Sequence, residues 1–216
     1  MATRASPSER RLVLATANRA KGRELAALLA DLPYRVQDLS DFPGVVLPPE
    51  GGTSYSENAL GKARAVTAAT GLFALADDSG IEVDAFDGRP GVLSARYGGE
   101  GLTDPERNRL MLREMEGVPA GRRTARYRAV IALTAPDGRE ATVEGTVEGV
   151  LLEAPRGAGG FGYDPLFYYP PLGATFAEIP AAAKHAVSHR GHAMARAREL
   201  LRRWAFAPSI PGISSA

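Results

Sequence analysis

Two long alternating runs, "TARYRAVIALT" and "REATVEGTVEGV", flank Asp137-Gly138 between residues 124 and 150. Alternation at period two lets each run turn one face to a core. Asp-Gly between such runs is the strongest short signal for a hairpin. Whatever surrounds this stretch must therefore accommodate an antiparallel pair.

What surrounds it has a different rhythm. "RLVLA" (11–15) reads as a buried strand, and "AKGRELAALLA" (20–30) as a helix with Leu25, Leu28 and Leu29 on one face. The polar "TANR" between them is a strand-to-helix turn. Residues 54–70 continue with Tyr55, Ala59, Ala63 and Val66 at helical spacing until Gly71 stops the helix. "LFALAD" and "IEVDAF" are short strand candidates on either side of Asp-Asp-Ser-Gly, which on local grounds is as much a turn as a site. Thr103 and Glu106 form a capping box that should open a helix over "DPERNRLMLREME", and residues 190–204 make a final basic amphipathic helix. Strands alternating with helices at both ends of a central hairpin predict a mixed α/β sheet, not a purely parallel one.

The chain has 216 residues, 44% hydrophobic and 24% charged, which suits one large globular domain or two lobes sharing a sheet. The expected domain covers residues 11–204, between flexible ends at 1–10 and 205–216. With 26 basic and 25 acidic residues the net charge is +1, so no global field exists to hold a nucleic-acid backbone. Cysteine is absent, which leaves any metal to oxygen ligands or to three histidines. The polar start "MATRASPSER" is unlike a signal peptide, and no window of about 18 uncharged apolar residues suggests a membrane span. The expectation is a cytoplasmic protein.

Five segments could carry chemistry. In "TANRAK", Thr16, Asn18 and Lys21 lie where a strand gives way to a helix N-terminus, an arrangement that binds anions and equally suits plain capping. Asp77 and Asp78 should face opposite sides of a strand. Asp78 is the candidate base and ligand for Mg²⁺, an ion that takes one or two carboxylates and completes its shell with water and phosphate. Glu50, in a Pro/Gly loop, is a candidate second carboxylate, whereas Glu57 on a helix reads as a solvated charge. In "GAGGFGYDPLFYYP", Phe161, Tyr163 and Asp164 could stack on a base and read its edge, or could be core residues around a tight turn. Ser188 is a fair N-cap that sets His189 and Arg190 in the first turn of the last helix.

Taken in order, "TANRAK", "SENALGKA", "ADDSG", "PGVLSARYGGE", "GGFGYDPLF" and "KHAVSHRG" resemble the inosine triphosphate pyrophosphatase family over nearly the whole chain. The resemblance implies an elongated mixed α/β fold, of the ITPase-like or Maf type, with flanking helices, two lobes around a central cleft, and a homodimer. It implies Mg²⁺-dependent hydrolysis of ITP, dITP and XTP to the monophosphate and pyrophosphate. It assigns phosphate binding to Thr16, Ala17, Asn18, Arg19, Ala20, Lys21 and Lys62. Catalysis and metal binding fall to Asp78, with Glu50 as a further ligand and Ser79 at the substrate. Base binding falls to Phe161, Gly162, Tyr163, Asp164, Lys184, His189 and Arg190. Ala17 departs from the expected Thr-Gly-Asn pattern, which implies ordinary φ or a looser phosphate contact there. The rival readings are a less specific phosphatase that releases orthophosphate and a non-catalytic nucleotide-binding module.

Overall fold

A computed structural model describes residues 10–51 and 53–206. In chain order the elements are β1 (Arg11–Leu14), α1 (Arg19–Leu29), β2 (Arg35–Gln37), α2 (Tyr55–Thr70), β3 (Phe73–Val83) and α3 (Asp104–Glu114). There follow β4 (Thr124–Thr134), β5 (Glu140–Leu151), β6 (Phe167–Tyr169), β7 (Ala174–Thr175), α4 (Ala181–Val187) and α5 (His189–Phe206). The seven strands form one sheet in the order β2-β1-β3-β4-β5-β6-β7. β1 runs parallel to β2 and β3, whereas β5, β6 and β7 are antiparallel neighbours, so the sheet is mixed as the alternation predicts.

The local signals hold where the physics is local. Residues 135–139 close the β4–β5 hairpin through the Gly138 N–H to the Ala135 carbonyl and the Ala135 N–H to the Arg139 carbonyl. Both halves of the Thr103–Glu106 capping box are made at the start of α3. Gly71 ends α2 in the left-handed conformation, at φ 66°, which costs glycine nothing.

One expectation is overturned. "LFALAD" and "IEVDAF" are not two strands around a turn: Phe73–Val83 is a single eleven-residue strand that runs straight through Asp-Asp-Ser-Gly. The reason is tertiary. With β1 on one side and β4 on the other, pairing on both edges overrides the turn preference of Asp-Ser-Gly. The structure also adds α4, a seven-residue helix over "AAAKHAV" that the sequence does not announce. The expected flexible ends fall outside the described residues, apart from Arg10 and from Ala205 and Phe206, which belong to α5.

The chain divides into two compact units. The first holds the described residues up to Asp78, Val130–Val143 and those from Ala193 onward; the second holds Ser79–Ala129 and Glu144–His192. The core of the first is built on β1 and α1, with Leu12, Leu14, Leu25 and Leu29 fully buried. Phe73 meets Tyr34 edge-on at 5.6 Å and Trp204 at 6.5 Å. The second has its own core, in which Ile81, Met111, Tyr127, Phe167 and Phe176 pack together. "GRPGVLSARY" belongs to it: the Ser94 hydroxyl accepts the Ile81 N–H at 2.9 Å and donates to the Gly91 carbonyl at 2.6 Å. That serine therefore secures β3 just beyond Asp78 and Ser79.

Candidate active site

In the first unit, α2 turns an inward stripe toward β3. Tyr55, Asn58, Ala59, Lys62, Ala63 and Val66 are all buried and recur at three- and four-residue spacing, so two polar side chains share the apolar face. Both reach Asp78. The Asn58 Nδ2 donates to one carboxylate oxygen at 2.9 Å, and the Lys62 ammonium lies 3.9 Å from the other. Lys62 also meets Glu50 at 2.6 Å and donates to the Asp77 carbonyl at 2.7 Å. Asp77 points elsewhere, as alternate strand residues must, and its carboxylate pairs with Lys21 at 2.8 Å.

Burial sets the electrostatics. Asp77 is 0% and Asp78 3% exposed, so neither carboxylate lies on a solvated turn. Burial pushes the Asp78 carboxyl above its usual range. The Lys62 and Lys21 charges and the Asn58 hydrogen bond pull it back in part, while Glu50 adds to the rise. Glu57, by contrast, is tied to the helix start. It accepts from the Thr53 N–H at 2.9 Å and its own N–H donates to the Ser54 hydroxyl at 3.2 Å, so it neither pairs with Lys62 nor joins the cluster.

The donor set suits a hard cation. Glu50, Asp78 and the Asp77 carbonyl present only oxygens, and they already surround one positive charge, the Lys62 ammonium. Among the described residues no group of three or more His, Cys, Asp or Glu side chains could hold a metal. An ion held here by Glu50 and Asp78 therefore takes the rest of its shell from water and phosphate, which is the habit of Mg²⁺.

In the loop after β1, Thr16 Oγ1 accepts the Asn18 N–H at 3.2 Å, and Asn18 Oδ1 accepts from Ala20 at 2.9 Å and Lys21 at 3.1 Å. Asn18 is thus the N-cap of α1 in this structure. Ala17 and Arg19 are exposed on the same turn, next to a pocket of about 500 Å³ that extends to Asp38 and Ser40. Among the described residues Asp87 is the non-glycine residue with positive φ, so Ala17 takes ordinary φ and the missing glycine costs the turn no strain.

The second unit gathers most of the remaining candidates around Phe161. The Lys184 ammonium lies 4.8 Å and the Arg190 guanidinium 5.6 Å from the ring centroid, within cation–π range. Lys184 pairs with Asp164 at 2.6 Å, and the same carboxylate oxygen accepts the Phe161 N–H at 2.9 Å. Arg190 donates to the Ser79 hydroxyl at 3.0 Å. His189 stacks on Tyr127, with centroids 4.7 Å apart and planes 13° from parallel. Lys184, His189 and Arg190 are all buried, whereas Phe161 keeps part of its surface open. Tyr163 is drawn the other way: it is buried in the core and its hydroxyl donates to the Ser94 carbonyl at 2.9 Å. Ser188 caps α5 through the Gly191 N–H at 3.1 Å.

Gly160 shows how tightly this loop is built. It sits at φ 70°, and a Cβ there would collide with the Asp164 carboxylate. We predict that Gly160→Ala destabilises the protein by about 1–3 kcal/mol, the usual cost of overpacking. Thermal denaturation checks it; an unchanged variant would show that Asp164 is free to move aside.

Sequence reasoning missed Asn58, the partnership of Asp77 with Lys21, and Tyr127 beneath His189. Asn58 had a signal, since it falls within the apolar stripe of α2. The other two depend on contacts between distant segments and had none.

The first unit thus holds a buried acid with lysines near it, and the second a ring attended by buried cationic side chains. The family model of the Ham1 family matches residues 12–200, and the chain belongs to that family. A dITP/XTP pyrophosphatase of Geobacter sulfurreducens is 52% identical over 191 residues, covering 88% of this chain and 96% of the relative. One of Thermus thermophilus is 54% identical over 184 residues, covering 85% and 88%. Among solved structures, a HAM1 protein from Coxiella burnetii superposes with a TM-score of 0.82 at 39% identity, covering 90% of this chain and 99% of that one. The Staphylococcus aureus Ham1 protein gives 0.80 at 33% identity, covering 90% and 100%.

Proposed function

We propose that this protein hydrolyses the non-standard purine nucleoside triphosphates dITP, ITP and XTP to the nucleoside monophosphate and pyrophosphate. The observation that carries the reading is Asp78, buried between Asn58 and Lys62, in a chain half identical to relatives named dITP/XTP pyrophosphatases. Water attacks the α-phosphorus: a bond forms between the water oxygen and Pα, the bond from Pα to the bridging oxygen breaks, and pyrophosphate leaves with that oxygen. Asp78 takes the proton of the attacking water. Burial shifts its carboxyl upward, which makes it a stronger base than an exposed aspartate. Glu50 and Asp78 would hold Mg²⁺, which when bound supplies positive charge to the phosphate oxygens. Lys21, Lys62 and Asn18 orient the phosphate chain and neutralise the leaving group.

The base is chosen by donors. Lys184, His189 and Arg190 suit a keto oxygen at purine C6 and disfavour the amino group of adenine. A site built on such hydrogen bonds discriminates by about 10⁴-fold, far beyond what shape alone provides. Among the described residues no helix is long and apolar enough to cross a membrane. The reading carries with it a cytoplasmic homodimer that takes no nucleic acid, which sedimentation with and without DNA checks.

Incubation of the pure protein and Mg²⁺ with ITP, dITP, XTP, ATP or GTP, followed by identification of the products, tests the proposal. Pyrophosphate from the first three, with ATP slower by about 10²-fold or more, is expected. Orthophosphate, or equal rates on ATP, overturns it.

A further inference from the structure

Asp104 and Asn108 stand four residues apart on α3 and so share a helix face. Both reach the same backbone unit in the loop that carries Phe161. Asp104 Oδ2 accepts the Gly162 N–H at 2.7 Å, and Asn108 Nδ2 donates to the Gly162 carbonyl at 3.1 Å. Gly162 has no side chain of its own to anchor it, yet its donor and its acceptor are both held by one helix.

That helix is itself firmly set. Its capping box is complete, Met111 lies in the core, and Arg107 donates to the carbonyls of Tyr97, Gly99 and Leu102. On either side of Gly162 the loop is fixed as well, by the Phe161 N–H on Asp164 and the Tyr163 hydroxyl on Ser94. Between these two anchors the backbone of Gly162 is held by Asp104 and Asn108, one residue away from Phe161.

Asn108 carries a further mark. It is 6% exposed, and its Oδ1 is buried without a hydrogen-bond partner among the described residues. A buried acceptor left unmet works against stability, so what Asn108 contributes is the hydrogen bond it gives to Gly162.

We propose that Asp104 and Asn108 are positioning residues for base selection, holding Gly162 so that Phe161, with Lys184 and Arg190 beside it, meets the purine at one fixed angle. The inference rests on the nucleotide reading above. It explains why a helix that contributes nothing to the two clusters of candidate residues is built against the loop with two dedicated polar contacts.

The test uses the full chain with Asp104→Ala, Asp104→Asn and Asn108→Ala, measuring kcat and KM for ITP and ATP, inhibition by pyrophosphate, and Tm. Pyrophosphate engages only the phosphate-binding residues and reports on damage unrelated to the base. Asp104→Ala and Asn108→Ala are expected to raise KM for ITP by about tenfold and to narrow the preference for ITP over ATP. The kcat for ITP and inhibition by pyrophosphate should stay near wild type. Asp104→Asn, whose amide oxygen still accepts from Gly162, should restore the wild-type KM. If Asn108→Ala does not fold, the exposed Asp104 decides the matter alone. Unmoved KM and selectivity in Asp104→Ala overturn the inference, as does a pyrophosphate constant that shifts in step with KM. A wild-type enzyme with no purine preference overturns the functional reading and this inference with it.

Discussion

The exchange Asp78→Asn should lower kcat for ITP by about 10³-fold or more, the scale of losing a general base, while leaving the fold at least as stable. The amide oxygen introduced by the exchange can still accept from the Asn58 Nδ2, which now donates to Asp78 at 2.9 Å, so the packing of α2 on β3 survives. What disappears is the proton acceptor and one of the two carboxylates proposed to hold the metal. The sign of the stability effect follows from linkage. Burial raises the carboxyl in the folded state, and an acid whose folded pKa lies above its unfolded value destabilises the fold once it is ionised. That cost appears as pH rises through the unfolded pKa and is complete above the folded one. At neutral pH the amide removes it. Steady-state kinetics and thermal denaturation check the two halves together, and near-normal turnover would remove Asp78 from the mechanism.

Lys184→Met should be the most damaging single change in the second unit. It leaves the Asp164 carboxylate, 2% exposed, without the ammonium that now lies 2.6 Å away. Removing one member of a buried pair typically costs about 3–5 kcal/mol, because the remaining charge stays desolvated. For a chain of this size that is roughly a 10 °C fall in Tm. The double variant Lys184→Met with Asp164→Leu separates charge from position. Exchanging a buried pair for apolar side chains is often close to neutral, so most of the lost stability should return. Selectivity for ITP should not return, because the Phe161 N–H loses its acceptor. A double variant as unstable as the single one would mean that the pair is held by its packing and not by its charge.

These two sites were legible in the sequence to different degrees. The hairpin at Asp137-Gly138, the capping box at Thr103 and the Gly71 stop are all local devices, satisfied by residues within a few positions of one another, and they stand in the structure as read. Asp-Asp-Ser-Gly is the opposite case. Its local preference for a turn was real, but the neighbouring strands on both edges decided the outcome. The separate directions of Asp77 and Asp78 could be anticipated because strand geometry alone dictates them. The burial of Asp77 could not, since it depends on Lys21 arriving from another element. The same holds for Asp164, whose neighbourhood to Phe161 is local but whose pairing with Lys184 is made by α4, a helix the sequence did not announce. "PGVLSARY" gained a physical meaning only through Ser94 and its hold on the Ile81 N–H.

The uninterrupted course of β3 bears on which changes in chain length the protein can survive. In a strand each residue faces opposite to the last, so losing or gaining one residue inside Phe73–Val83 inverts everything on one side of the change. A deletion before Asp77 would, if the downstream register held, send apolar side chains such as Leu75 to the wrong face. If the upstream register held, it would offer Lys21 the carboxylate meant for Lys62 and Asn58. Neither outcome can be repaired by side-chain movement. Point substitutions along this strand are graded injuries, whereas a shift by a single position exchanges the partner of Lys21 for the partner of Asn58 and Lys62.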